Sequence, residues 1–151
     1  MPTETKEFTI VRTFDAPREL VFDAWTDPEQ MTHWWGPKEL TTPRETISID
    51  LREGGRWSVR MVHPPSGYVC PQGGLYREID RPERLVFTWG IGEDEFTDRS
   101  VVTIELAEVD GRTRMTFHQI GLASDEEREN VTGGWSECLD KFAEYIERAA
   151  V

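Results

Sequence analysis

The closing stretch of this chain constrains its fold more than any other. From Val131 the apolar residues Trp135, Cys138, Leu139, Phe142, Ile146 and Ala149 follow at steps of four, three, one, three, four and three. That spacing keeps one face of a 3.6-period helix apolar. Glu137, Asp140, Lys141, Glu144 and Glu147 fall between these positions and suit a wet face. Ser124 with Glu127 three residues on is a capping-box pattern that opens this helix. Gly133-Gly134 read as the lead-in to Trp135, near its start. A long closing helix of this kind is a lid, and the rest of the chain has to supply what it covers.

Before the lid the period is mostly two. Phe8, Ile10 and Phe14 alternate with Thr9, Val11 and Thr13 as a strand, which Asp15-Ala16-Pro17 stops. Pro17 suits a first helical position, and Leu20, Val21, Ala24 and Trp25 then share a face as far as Thr26. Asp27 can cap a second short helix, with Gln30 reaching back, and Gly36-Pro37 end it after Trp34-Trp35. Ile47, Ile49 and Leu51 alternate next, Glu53-Gly54-Gly55 turn the chain, and Trp57, Val59 and Met61 return on one face. Tyr68 to Ile79 is extended, with Pro71 and Gly73-Gly74 marking a bulge or an edge. Leu85, Phe87 and Trp89 form a further strand, and Gly90 to Asp98 reads as an acidic loop. Val102, Ile104 and Leu106 run to Asp110-Gly111, a short-hairpin signal, and Met115 and Phe117 come back. Hairpin-linked strands with segregated helices make an α+β domain, and 151 residues suffice for one.

Charge limits the partners. Seventeen Lys+Arg against 29 Asp+Glu give a formal −12. Such a chain repels phosphate backbones and anionic headgroups, so nucleic acid and membrane surfaces are poor partners. Cys70 and Cys138 are the only thiols, too few for a disulfide scaffold, and the first ten residues lack a secretory leader. The expected setting is reducing and cytoplasmic.

Several segments carry a family resemblance. They are Phe14-Asp15-Ala16-Pro17-Arg18-Glu19-Leu20-Val21-Phe22, Ala24-Trp25-Thr26-Asp27-Pro28, Trp34-Trp35-Gly36-Pro37 and Gly54-Gly55-Arg56-Trp57. Gly74-Leu75-Tyr76-Arg77-Glu78-Ile79, Pro82-Glu83-Arg84-Leu85 and Gly134-Trp135 to Leu139 continue the pattern. Together they resemble single-domain homologues of the heat-shock-protein-ninety ATPase activator, within the START-like (SRPBCC) superfamily. The resemblance implies a helix-grip fold, like that of the birch-pollen allergen, over residues 1–151. A curved antiparallel sheet of about six to seven strands would wrap the C-terminal helix, with an elongated cavity between them. Superfamily members bind lipids, plant hormones and polyketides, and some are cyclases.

The candidate site is largely aromatic. Trp57, Trp89 and Trp135 fall on inward positions, where large rings either fill a core or line a pocket. With Trp35, Met61, Tyr76, Phe87, Met115, Phe117 and Leu139 they are the expected lining of a cavity for a small apolar or amphipathic molecule. Glu78 shares a face with Tyr76 and could anchor a ligand, serve as a general base, or simply pair with an Arg at the sheet rim. His33, His63 and His118 have no metal-pair spacing, so neither a metal nor any other cofactor is expected. Ser66 and Ser136 lack the glycines of a nucleophile elbow. Binding without catalysis is the leading expectation. The alternatives are a cyclase or hydrolase using Glu78 or His33, and a protein-interaction module whose partner is a chaperone; the chain itself could be monomer or homodimer.

Overall fold

The computed structural model of the protein describes residues 6–91 and 100–150. Alternation in the first segment becomes strand β1 (Lys6–Phe14), ending on buried Phe14. Helix α1 (Arg18–Thr26) follows, with Pro17 as its cap rather than its first residue. In α2 (Pro28–Met31) the Asp27 carboxylate accepts from the Glu29 backbone N–H, and Gln30 Nε2 donates back to it at 3.2 Å. After a 3₁₀ turn at Arg44–Thr46 come β2 (Ser48–Ile49), β3 (Arg56–His63), β4 (Tyr68–Asp80) and β5 (Arg84–Thr88). The chain continues through β6 (Gly90–Ile91), β7 (Val101–Val109) and β8 (Arg112–Leu122) into α3 (Asp125–Ala149).

All these strands pair antiparallel, in the order β1-β8-β7-β5-β4-β3-β2 with β6 alongside β4. Two strands of only two residues, β2 and β6, take the count among the described residues to eight, where about six to seven were expected. The acidic segment expected over Gly90 to Asp98 lies outside the described residues beyond Ile91. Asp110 and Gly111 both hold positive φ, 54° and 80°, as a two-residue turn must to match the twist of β7 and β8.

Strand β4 is the spine of the sheet. It pairs with β3 from Tyr68 to Leu75 and with β5 from Tyr76 to Asp80. Where the partners change, a Cβ on Gly74 would stand 1.9 Å from the Thr88 carbonyl oxygen, so a side chain cannot fit there. Gly74 therefore marks a close approach, and the bulge falls between Tyr76 and Glu78 instead. Pro71 lies within the ladder, opposite Arg60.

Helix α3 starts where the capping box places it. Ser124 Oγ accepts from the Glu127 N–H at 3.1 Å, and Glu127 Oε2 accepts from the Ala123 N–H at 2.6 Å. Gly133-Gly134 do not lead into this helix; they lie inside it, and Trp135 sits well along its length. Their propensity cost, about 1 kcal/mol each against Ala, is carried by the apolar face that α3 buries. That face sits on a core centred on Trp25, whose ring lies 4.6 Å from Trp34, 5.7 Å from Phe142, 6.0 Å from Trp135 and 6.1 Å from Phe117. Most of these contacts are tilted or edge-on, as ring quadrupoles favour.

Candidate functional site

The space between sheet and helix is divided in two. Beneath the middle of α3 the rings close on one another: Trp57, Tyr76 and Phe87, with Trp25 and Trp35, leave a void of about 10 Å³. That is room for one water at most. Met115, Phe117 and Leu139 are completely buried in the adjoining core, and border neither this void nor the groove described next. The elongated cavity implied by the resemblance is thus filled over much of its length.

Open space remains toward the start of α3. A groove of about 220 Å³ is walled by Val131, Gly134, Trp135 and Cys138 from α3, by Met61, Cys70 and Gln72 from β3 and β4, and by Trp89 and Ile91. The Trp35-Gly36-Pro37 segment closes the third side. Of the residues expected at the site, Trp35, Met61, Trp89 and Trp135 are brought together here. Gly134 leaves its share of the wall without a side chain, the nearest atom to its missing Cβ being Pro37 Cγ at 3.7 Å.

The third wall is fastened to α3. The Gly36 N–H donates to Cys138 Sγ at 3.2 Å, and that thiol lies 3.4 Å from the Trp34 carbonyl. The Lys38 N–H donates to Glu137 Oε1 at 3.1 Å, and Lys141 Nζ donates to the Pro37 and Leu40 carbonyls at 3.0 and 2.8 Å. Burial pushes the Cys138 thiol up to about 12 and raises Cys70 as well, so both stay protonated and uncharged near neutral pH. Desolvation also lowers the Lys141 ammonium, opposed by Cys138 and Glu137.

Glu78 is outside this groove. The bulge after Tyr76 breaks the two-residue alternation that would have put the two side chains on one face. Its Oε2 lies 2.6 Å from Arg84 Nε, with Arg84 Nη1 reaching Glu105 at 3.3 Å. His33 is exposed and stacks on Tyr145 at 5.2 Å, away from the groove. His118 pairs with Glu7 at 3.2 Å on the outer side of β8. His63 Nδ1 is 2.7 Å from Ser66 Oγ, beside a shallow surface depression, with Glu39 at 3.9 Å from Nε2. This is a turn brace rather than a nucleophile: Ser66 Oγ also accepts from the Tyr68 N–H, and Glu39 is 81% exposed. Among the described residues no cluster of His, Cys, Asp and Glu could hold a metal, and no helix is long and apolar enough to cross a membrane.

Residue-by-residue reading missed Gln72 and Cys70 as wall residues, whereas the room that the Gly133-Gly134 pair could leave for a ligand is found at Gly134. The signal was present, since counting back by twos from inward Tyr76 reaches Gly74, Gln72 and Cys70. The Pro71 and Gly73-Gly74 interruptions obscured it.

Comparison with known proteins agrees with this architecture. A protein from Chromobacterium violaceum superposes with a TM-score of 0.81 at 26% identity, over 94% of this chain and 98% of the other. The AHSA1 protein from Silicibacter pomeroyi gives 0.81 at 26%, over 92% and 96%. A protein from Mycobacterium smegmatis gives 0.76 at 27%, over 99% and 96%. No curated protein sequence matches. The family model described as "Activator of Hsp90 ATPase homolog 1-like protein" matches residues 15–147. Folds of this START-like kind commonly bind ligands in a cavity. With nearly the whole chain matched in sequence and in fold, the protein belongs to the family of activator of Hsp90 ATPase homolog 1-like proteins.

Proposed function

We propose that the protein binds a small, largely apolar molecule in the groove at the start of α3, without catalysing a reaction on it, in the cytoplasm. The observation that carries this reading is the groove itself: about 220 Å³ of space walled mainly by apolar side chains, beside a core where the rings leave only about 10 Å³. Natural ligand pockets are concave and apolar in this way, with a few polar groups fixing orientation. An empty cavity of about 150 Å³ already takes up benzene, so this groove has room for a body of one to two rings. Burial at about 25 cal/mol per Å² supplies the affinity.

Catalysis draws less support from the geometry. The acid/base candidates Glu78 and His33 are engaged by Arg84 and Tyr145, away from the groove. The test is a thermal-shift screen with lipids, polyketides, flavonoids and small aromatic compounds, with tryptophan fluorescence read in parallel. A ligand at a hundred times its dissociation constant adds about 2.7 kcal/mol, a midpoint rise of several degrees. Saturable shifts with quenching support the binder. Silence across the library removes this reading and turns attention to a protein partner of the chaperone kind.

A further inference from the structure

The polar groups on the groove wall specify more than an apolar ligand. Gln72 is 8% exposed, and its side chain lines the groove. An amide side chain offers one acceptor and one donor end, and a buried neighbour decides which way it lies. Here the neighbour is the indole of Trp35, which can only donate, and its Nε1 gives its hydrogen to Gln72 Oε1 at 3.2 Å. The Gln72 amide nitrogen is thereby fixed as the free end, and it makes no hydrogen bond among the described residues. Trp89, on the same wall and 6% exposed, keeps its indole N–H buried and without a partner among the described residues.

Against the Gln72 donor the described wall offers little to a donor on the ligand. The Cys138 thiol is occupied between Gly36 and Trp34, and the Trp35 carbonyl accepts from Thr42 Oγ1 at 2.8 Å. Asn130, the remaining amide, is exposed at the rim. No Lys, Arg, His, Asp or Glu is among the described lining residues. A carboxylate would lose its water here without gaining a cation, which costs more than a single amide hydrogen bond returns.

Resting on the binding reading above, we infer that the ligand is a neutral carbonyl compound, a ketone or lactone of about two fused rings, whose oxygen accepts from Gln72 Nε2. The Gln72 side chain then acts as the orienting group of the site. Its partner Trp35 is a positioning residue, holding the amide with its donor end toward the ligand.

The test compares 2-acetylnaphthalene with its hydrocarbon isostere 2-isopropenylnaphthalene and with 2-naphthoate, titrated into the wild-type protein and Gln72→Met by tryptophan fluorescence. The wild type is expected to favour the ketone over the hydrocarbon by about tenfold and to bind the naphthoate most weakly. In Gln72→Met the ketone preference falls to within about twofold, while hydrocarbon affinity changes little. The readout is a ratio on one protein, so a general loss of fold cannot imitate it. Should the variant fail to fold, the Gln72 side-chain NH₂ resonances of the wild type decide: they move with the ketone and stay with the hydrocarbon. Equal affinity of the wild type for ketone and hydrocarbon overturns the carbonyl assignment and leaves the binding reading standing. Failure of all three compounds to bind overturns both.

Discussion

Gly133 and Gly134 are neighbours in α3 with opposite surroundings. A Cβ on Gly133 would meet nothing within 4 Å, whereas Gly134 faces Pro37 across the groove. Gly133→Ala should therefore stabilise the protein by about 0.5–1 kcal/mol through helix propensity and leave binding unchanged. Gly134→Leu should gain similar propensity yet weaken a groove ligand at least tenfold, because its side chain occupies the ligand's volume. Chemical denaturation beside a fluorescence titration checks both; equal losses of stability and affinity in Gly134→Leu would contradict the division. Cys138 gives a pH prediction. Its thiol titrates near 9 when unfolded and near 12 when folded. Its contribution is fully present below pH 9 and is lost as pH rises toward 12, since the unfolded chain releases the proton first. The slope from one such group is at most about 1.4 kcal/mol per pH unit. Cys138→Ser should flatten the fall in stability between pH 9 and 12, leaving the parts due to Cys70 and Tyr76, both also raised by burial.

At the scale of elements, α3 depends on its start. Ser124→Ala removes the acceptor for the Glu127 N–H and should cost about 1 kcal/mol, read as a lower denaturation midpoint with unchanged m-value. That cap was legible in the sequence because capping is local chemistry: Ser124 and Glu127 settle it without help from the rest of the chain. Asp110-Gly111 was legible for the same reason, a two-residue turn needing two positive φ angles. The course of β4 was not. Gly74 is required by Thr88, reached only after the chain has turned back through β5, and the bulge at Tyr76–Glu78 arises from pairing with that same strand. A bulge shifts side-chain parity by one, so Glu78 left the face that alternation assigned to it. The placement of Gly133-Gly134 failed differently. Local propensity argued for a break, and the long apolar seam of α3 overrode it.

Across the whole molecule, the sequence indicated which rings point inward but not whether they fill space or border it. Trp35 does both, packing on Trp57 at 5.3 Å and on Trp135 at 5.3 Å while walling the groove. Trp25 from α1 decides the matter under the middle of α3, because its ring reaches into the space between helix and sheet, within 6.4 Å of Phe87. Only the joint placement of α1, α3 and the sheet fixes that outcome. The result is a molecule closed at its centre and open toward the start of α3, with no charged side chain among the described residues of the groove wall. The most direct test is a ¹⁵N–¹H NMR titration of the labelled protein with 2-acetylnaphthalene. Binding in the groove predicts saturable shifts concentrated on Val131, Gly134, the Trp89 indole and the Gln72 side chain. The absence of saturable shifts up to the solubility limit, or shifts confined to the outer face of the sheet, would contradict it.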